Sequence, residues 1–198
     1  MPSISTPLPW PAIVCSVALA AWLLVAAWTD VRTRRIPNLL VASGMLCGLA
    51  VQALAPAGSG LFGGGWGGLG IVSAGLGLLT GLALFMPLYI FRALGAGDVK
   101  LLAMVGVWLG PQFTLAAALL TLLAGGLLAI IVMLASRSSL RVLSNVRMLL
   151  TTVMIGAYSG RFAPLDAPAL VGVRLPYALA ITIGSLAQVG WLLAQART

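Results

Sequence analysis

The sequence predicts an all-α, polytopic integral membrane protein with about six transmembrane helices. Of its 198 residues, 61% are hydrophobic and only 7% are charged, whereas about a quarter of the residues in an average soluble domain are charged. The mean hydropathy is +1.13. A soluble domain of this length could not cover so much apolar surface with so few charges. The composition therefore excludes an ordinary soluble enzyme, a disordered chain and a secreted disulfide scaffold.

The first two helices are predicted from uncharged runs with clear boundaries. Residues 12–29 form a run of 18 residues without charge, which is long enough to cross a bilayer at about 1.5 Å per residue. The charged segment 30–35 ends this run. The second run, 39–55, follows Pro37, and proline is tolerated at the start of a helix because the N–H that it lacks would be unpaired there.

The third and fourth runs are separated by polar sequence. The glycine-rich stretch 56–70 is typical of a mobile turn. It leads into the third run, which covers about residues 69–91 and in which Pro87 favours a kink. The fourth run, 101–109, is short because Gly110-Pro111 ends it.

The last two predicted spans are residues 112–135 and 175–196, both long enough to cross a bilayer. Between them, residues 148–174 are partly apolar and interrupted by prolines and arginines. This segment fits either an interfacial helix with a loop or a poor transmembrane span.

The distribution of positive charge predicts the orientation of the helices. The chain has 11 Lys and Arg residues against 3 Asp residues, a formal net charge of +8. Cations occur in segments 30–35, 92–100 and 137–147, whereas connections 56–68 and 110–112 have none. Because cytoplasmic loops are enriched in Lys and Arg, the three basic segments are placed in the cytoplasm and the N-terminus outside. The same rule explains the high pI without nucleic-acid binding, which requires a soluble basic face.

Two of the three acidic residues are expected to lie at the same membrane boundary. Asp30 ends the first helix and Asp98 begins the fourth, both on the cytoplasmic side. An acid at such a depth is costly unless it is paired or functional. The alternative to function is ion pairing with a neighbouring cation: Arg32, Arg34, Arg92 or Lys100. Asp166, the third acid, is expected to be a solvated residue of a proline-flanked turn.

Neither a metal nor another cofactor is expected. The sequence has no His, which excludes a His metal site and a Ser–His or Cys–His catalytic system. Cys15 and Cys47 lie inside apolar runs and form no CxxC pair, so both are expected to act as small buried hydrophobic residues.

Two glycines come shortly before the second acid, in segment 95–102 (GAGDVKLL). Gly95 and Gly97 permit close backbone approach and local unwinding, which suits a site that admits water and an extended peptide. A glycine cap on a broken helix is the simpler alternative.

Segments 30–38 (DVRTRRIPN) and 95–102 together resemble the two signatures of the type IV prepilin peptidase family, which are GxGD-type intramembrane aspartyl proteases. Segment 174–181 is similar to the last helix of that family. The chain resembles the short, peptidase-only form of tight-adherence (Flp-type) pilus systems. We therefore expect residues 1–198 to form a single membrane-embedded peptidase domain without the N-terminal methyltransferase region of the long form.

The resemblance assigns the catalytic aspartates to Asp30 and Asp98. Two neighbouring carboxyl groups cannot both ionise easily and therefore share a proton. The ionised one can take a proton from the attacking water while the protonated one donates to the scissile carbonyl.

The resemblance also implies roles for residues close to these acids. Gly95, Gly97 and Lys100 would belong to the active-site loop, with Lys100 facing either the substrate or the lipid headgroups. Pro37 and Asn38 are expected to shape the start of the second helix without acting in catalysis.

The implied function is removal of the leader of prepilins or pseudopilins at the cytoplasmic boundary of the bacterial inner membrane. The arginines of segment 30–35 would contact anionic lipids, and no nucleic acid is expected as a partner. Two alternatives remain open: a small transporter or channel that uses the two aspartates for protons or a cation, and a structural membrane subunit of a secretion complex.

Overall fold

The computed structural model describes residues 9–62, 65–91, 93–135 and 176–197, with the backbone alone at 133–135. The described residues form five helices: α1 (Trp10–Thr33), α2 (Asn38–Leu54), α3 (Gly70–Ile90), α4 (Ala96–Ala135) and α5 (Tyr177–Gln195). Asp166, Arg92 and the ambiguous segment 148–174 lie outside the described residues.

The chain divides into two compact units. The first unit comprises residues 1–125 and 176–198, and it contains both Asp30 and Asp98. The second comprises residues 126–175, of which the structure describes the helical residues 126–135.

Four of the helices are long and apolar enough to cross a membrane: α1, α3, α5 and residues Ala96–Val132 of α4. Helix α2 is apolar but shorter, with 17 residues. The all-α, polytopic architecture is therefore confirmed for the described part of the chain, whereas the count of six helices stays a prediction. Helix α1 runs four residues beyond the uncharged run, to Thr33.

Helix α4 is broken where the sequence places Gly110-Pro111. Gly110 has φ 76° and ψ 173°, which is not helical. The Tyr177 ring lies against Gly125, and Tyr177 is also within electrostatic range of Asp98. In a straight helix residues 98 and 125 would be about 40 Å apart. The chain therefore reverses at Gly110, and residues 111–125 return to the end of the first unit that holds Asp98.

The first part of α4 is the centre of the unit. Residues 101–109 are all buried, as expected for a helix that is hydrophobic on every side. Glycines allow its neighbours to approach: Gly77 of α3 lies directly against Gly106, and a methyl group added at Gly81 would come within 2.7 Å of the Leu102 carbonyl oxygen. These contacts are between backbone atoms. Helices α3 and α4 can approach so closely only because glycine has no side chain at these positions.

The connection between α2 and α3 is packed and hydrogen-bonded in its described part, in contrast to the mobile turn that its glycines predict. Gly68 N–H donates to the Pro56 carbonyl at 2.8 Å. Leu61 and Phe62 are buried, with 1% and 2% of their surface exposed. The buried Gln52 side chain accepts from Leu69 N–H at 2.8 Å and donates to the Trp108 carbonyl at 3.2 Å, so it ties the connection to α4.

Candidate active site

Asp30 lies in the last turn of α1 with only 9% of its surface exposed. The helix ends at Arg34, which adopts a left-handed conformation (φ 54°, ψ 28°) and donates its N–H to the Asp30 carbonyl at 2.9 Å. The carboxylate points away from this turn: its Oδ2 accepts the backbone N–H of Ala178, in the first turn of α5, at 3.2 Å.

Asp98 lies in the first turn of α4 and is equally buried, with 9% exposed. Its Oδ2 accepts the N–H of Gly95 at 3.0 Å, and its own N–H donates to the Gly95 carbonyl at 3.1 Å. The side-chain bond is one half of a capping box, in which an acidic residue of the first turn satisfies the N–H of the residue before the helix; the backbone bond closes the first turn because Gly95 has no side chain to supply the other half.

The structure brings the two carboxylates together, as the sequence predicts. They lie at the same end of the bundle, and the charge of Asp30 acts on Asp98. Like charges at short range in a poorly solvated site favour a state in which one proton is shared. The arrangement can therefore present an acid and a base to the same substrate bond.

The neighbouring cations make other contacts. The Arg32 guanidinium lies 4.8 Å from the centre of the Trp28 ring, and Lys100 Nζ donates to Asn38 Oδ1 at 3.1 Å. Arg34 acts on Asp30 electrostatically. Among the described residues, the hydrogen bonds to the two carboxylates thus come from backbone amides. Arg32 and Lys100 contact Trp28 and Asn38 instead of forming the ion pairs that were the alternative to function.

The Lys100–Asn38 hydrogen bond gives Lys100 a partner that the sequence did not predict. Asn38 is the first residue of α2, and Pro37 precedes it with φ −62° and ψ 129°. Residues two apart on a helix face different directions, which agrees with Lys100 pointing to α2 while Asp98 faces Asp30. The bond joins the start of α2 to the start of α4.

Gly97 lies inside the first turn of α4, so its backbone stays on the helical path. The close approach at this position is made by Ile36, whose side-chain atoms would be 3.2–3.4 Å from an added methyl group. An added methyl at Gly95 would lie 3.3 Å from Asp98 Oδ2. Gly97 is thus helical rather than unwound, and its contact with the α1–α2 connection gives a packing reason for a glycine there, while a close approach of substrate to this residue stays a prediction.

Tyr177 is a neighbour of the site that sequence reasoning did not select. Its ring packs edge-on against Phe85, with centroids 6.1 Å apart, and lies next to Gly125. It precedes Ala178, whose N–H binds Asp30. The sequence could have indicated Tyr177, because Pro176 and Tyr177 stand at the start of the last apolar run.

The fold and the site define a class: a polytopic α-helical membrane protein with two buried carboxyl groups at one end of its helices. The family model described as the type IV leader peptidase family matches residues 17–130, more than half of the chain. The chain therefore belongs to that family, and it is a peptidase by this membership. Both segments that carry the resemblance, 30–38 and 95–102, lie in the matched region. Neither the curated proteins nor the solved structures give a match.

Gly97→Ala is expected to lower peptidase activity about three- to tenfold, because the new methyl group presses Ile36 away from α4 and displaces the first turn that carries Asp98. Peptide cleavage at equal protein concentration measures the effect. Gly190→Ala is the control, since nothing lies within 4 Å of a methyl group added there. Full activity of Gly97→Ala would show that the Ile36 contact does not control the site.

Lys100→Met is expected to reduce activity about fivefold, the equivalent of about 1 kcal/mol, which is typical of one intramolecular hydrogen bond and fits the solvent-exposed bond to Asn38. Lys100→Arg and Asn38→Asp should retain more activity than Lys100→Met, because both keep a donor facing an acceptor. If Lys100→Met and Lys100→Arg have equal rates, the bond between α2 and α4 has no part in the reaction.

Proposed function

We propose that this chain is an intramembrane aspartic endopeptidase that removes the leader of prepilins or pseudopilins, with Asp30 and Asp98 as its catalytic pair. The observation that carries the proposal is the meeting of two buried carboxylates, each with one backbone hydrogen bond, in a member of the type IV leader peptidase family. Residues 1–198 would act as one membrane-embedded peptidase domain.

The geometry supports general acid–base chemistry. Each backbone amide engages Oδ2 of its aspartate, which leaves the other oxygen for water, the peptide or the opposite carboxyl group. The ionised carboxylate takes a proton from the water that attacks the scissile carbonyl carbon. The protonated carboxyl group donates its proton to the carbonyl oxygen, which gives a tetrahedral diol. The carboxyl group that took the proton from water then passes it to the amide nitrogen, the C–N bond breaks, and a hydroxyl proton of the diol returns to the other carboxylate as the new acid group forms.

The surroundings of Asp30 support cleavage at a membrane boundary. The connection from α1 to α2 is exposed and carries Arg34 and Arg35. Trp28, whose ring lies under the Arg32 guanidinium, has 61% of its surface exposed. Tryptophan and arginine are typical of the interface between lipid tails and headgroups. A substrate with a polar leader followed by an apolar helix would present its junction at this level, on the cytoplasmic side of the inner membrane.

Purified protein in lipid nanodiscs, incubated with a purified prepilin, tests the function directly. We expect one cut between the leader and the apolar helix, detected by mass spectrometry. The outcome that favours a transporter or channel is ion flux into vesicles that contain the protein, with the prepilin intact. A structural subunit would give neither cleavage nor flux.

The orientation is tested by cysteine labelling in intact cells, in a chain that carries Cys15→Ala and Cys47→Ala. Ser59→Cys, in the exposed α2–α3 connection, should react with an impermeant maleimide from outside, and Thr33→Cys should react only after the membrane is opened. The reverse pattern would place both aspartates on the wrong side for a cytoplasmic leader.

A further inference from the structure

The start of α5 meets the side chain of Asp30. The first four N–H groups of a helix have no partner inside it, and Ala178 is the second residue of α5. Its N–H donates to Asp30 Oδ2 at 3.2 Å across 148 residues of sequence. Asp30, in the last turn of α1, therefore caps α5.

The second aspartate makes the equivalent contact at another helix. Asp98 Oδ2 accepts the N–H of Gly95 at the start of α4. The N-terminus of a helix carries a partial positive charge. The N-termini of two helices, α4 and α5, thus converge on the two carboxylates and give each of them a hydrogen bond from an uncharged backbone amide.

The position of the Ala178 amide is fixed by packing on three sides. Tyr177 lies between Phe85 of α3 and Gly125 of α4. One turn later, the Thr182 hydroxyl lies within hydrogen-bond distance of two carbonyl oxygens, that of Leu23 in α1 at 3.0 Å and that of Ala178 in its own helix at 2.8 Å, and shares its one proton between them. The first turns of α5 are therefore held against α1, and the amide cannot follow the carboxylate if Asp30 rotates.

We infer that the backbone N–H of Ala178 is a positioning group of the catalytic site, which holds Oδ2 of Asp30 so that the other oxygen faces Asp98 and the substrate. This inference rests on the proposed function. It gives the last helix a direct part in the site, although that helix carries no acidic residue.

The test replaces this N–H without changing any side chain. An α-hydroxy acid incorporated at position 178 converts the Ala178 amide into an ester, which keeps the methyl group and removes the donor. The matched control is an ester at Leu179, whose N–H donates to the Pro176 carbonyl at 3.1 Å in the same helical turn. We expect the ester at 178 to lower kcat at least tenfold with KM within about twofold, and the ester at 179 to leave kcat within about threefold.

A second measurement needs no substrate. The ester at 178 should lower the melting temperature by about 3 °C in the native chain and by less in the Asp30→Ala background, because the side-chain oxygen that accepts the Ala178 N–H is absent there. Equal shifts in both backgrounds would show that Ala178 does not bind Asp30. Equal kcat for the two esters would overturn the positioning role even if the thermal coupling is present.

The two proposals fail in different ways. If the native chain cleaves no prepilin, the proposed function is wrong, and the Ala178–Asp30 hydrogen bond has no catalytic role. A native chain that cleaves normally, together with an unaffected ester at 178, would remove this inference alone.

Discussion

Asp30→Asn and Asp98→Asn are each expected to abolish prepilin cleavage, with a rate at least about 10³-fold below that of the native chain, while the protein still inserts and accumulates. Each acid has a separate proton to take or give, and general acid–base steps of this kind contribute about 10²–10⁴-fold each. Asparagine is a stringent replacement here because its carbonyl oxygen can still accept the N–H of Ala178 or Gly95. The site then keeps its shape and loses only its ionisable group.

Cleavage of a purified prepilin by nanodisc-reconstituted protein measures this effect. Asp166→Asn, at the third acid of the sequence, serves as the control and should process the substrate at the native rate. Near-native cleavage by Asp30→Asn or Asp98→Asn would rule out the assigned pair. Loss of activity in Asp166→Asn would equally show that the choice of the pair is wrong.

Gly77→Ala is expected to have the largest effect on stability, lowering the free energy of unfolding by about 3 kcal/mol. The added methyl group would overlap the carbonyl oxygen of Gly106, which is a backbone atom and cannot rotate away. Helix α3 and the first part of α4 must then move apart, and the first turn of α4, which carries Asp98, is displaced by the shift. Activity should therefore fall together with stability.

The control for this variant lies on the same helix. A methyl group added at Gly75 has nothing within 4 Å, so Gly75→Ala should be neutral or stabilise α3 by up to about 1 kcal/mol through helix propensity. Thermal unfolding of the two variants in the same detergent gives the comparison. Equal melting temperatures would mean that α3 and α4 can separate without cost.

Hydropathy and charge were sufficient to predict that Asp30 and Asp98 lie at the same end of the helices, whereas their pairing was implied by the family resemblance. Hydropathy locates the helices that cross the membrane, and the chain changes sides at each crossing. The order of the apolar runs and the positions of the cations therefore determine which helix ends lie on the same side of the membrane. The start of α2 after Pro37 and the break at Gly110 were also predictable, because proline and glycine act on the local backbone. The end of α1 was misplaced because hydropathy reports where the lipid ends, whereas the helix continues through Asp30 to Thr33.

The contacts that shape the site were not predictable from the sequence. The Ala178–Asp30 hydrogen bond and the packing of Ile36 on Gly97 join residues far apart in the chain. Lys100 has several acceptors within reach of its long side chain, and nothing in the sequence selects Asn38. The burial of Leu61 and Phe62 and the hydrogen bonds of Gln52 likewise hold a connection whose glycines alone predict a mobile turn.

The reversal of α4 depends on chirality. At Gly110, φ 76° with ψ 173° falls in a region that is essentially closed to L-residues, and a side chain of L configuration would also meet Leu69 Cδ1 at 2.7 Å. The mirror image of this conformation is ordinary extended backbone, so a D-amino acid would adopt it without strain. The hairpin that returns residues 111–125 to the aspartates is therefore a left-handed step in a right-handed helix, and only an achiral residue can make it in a ribosomal chain.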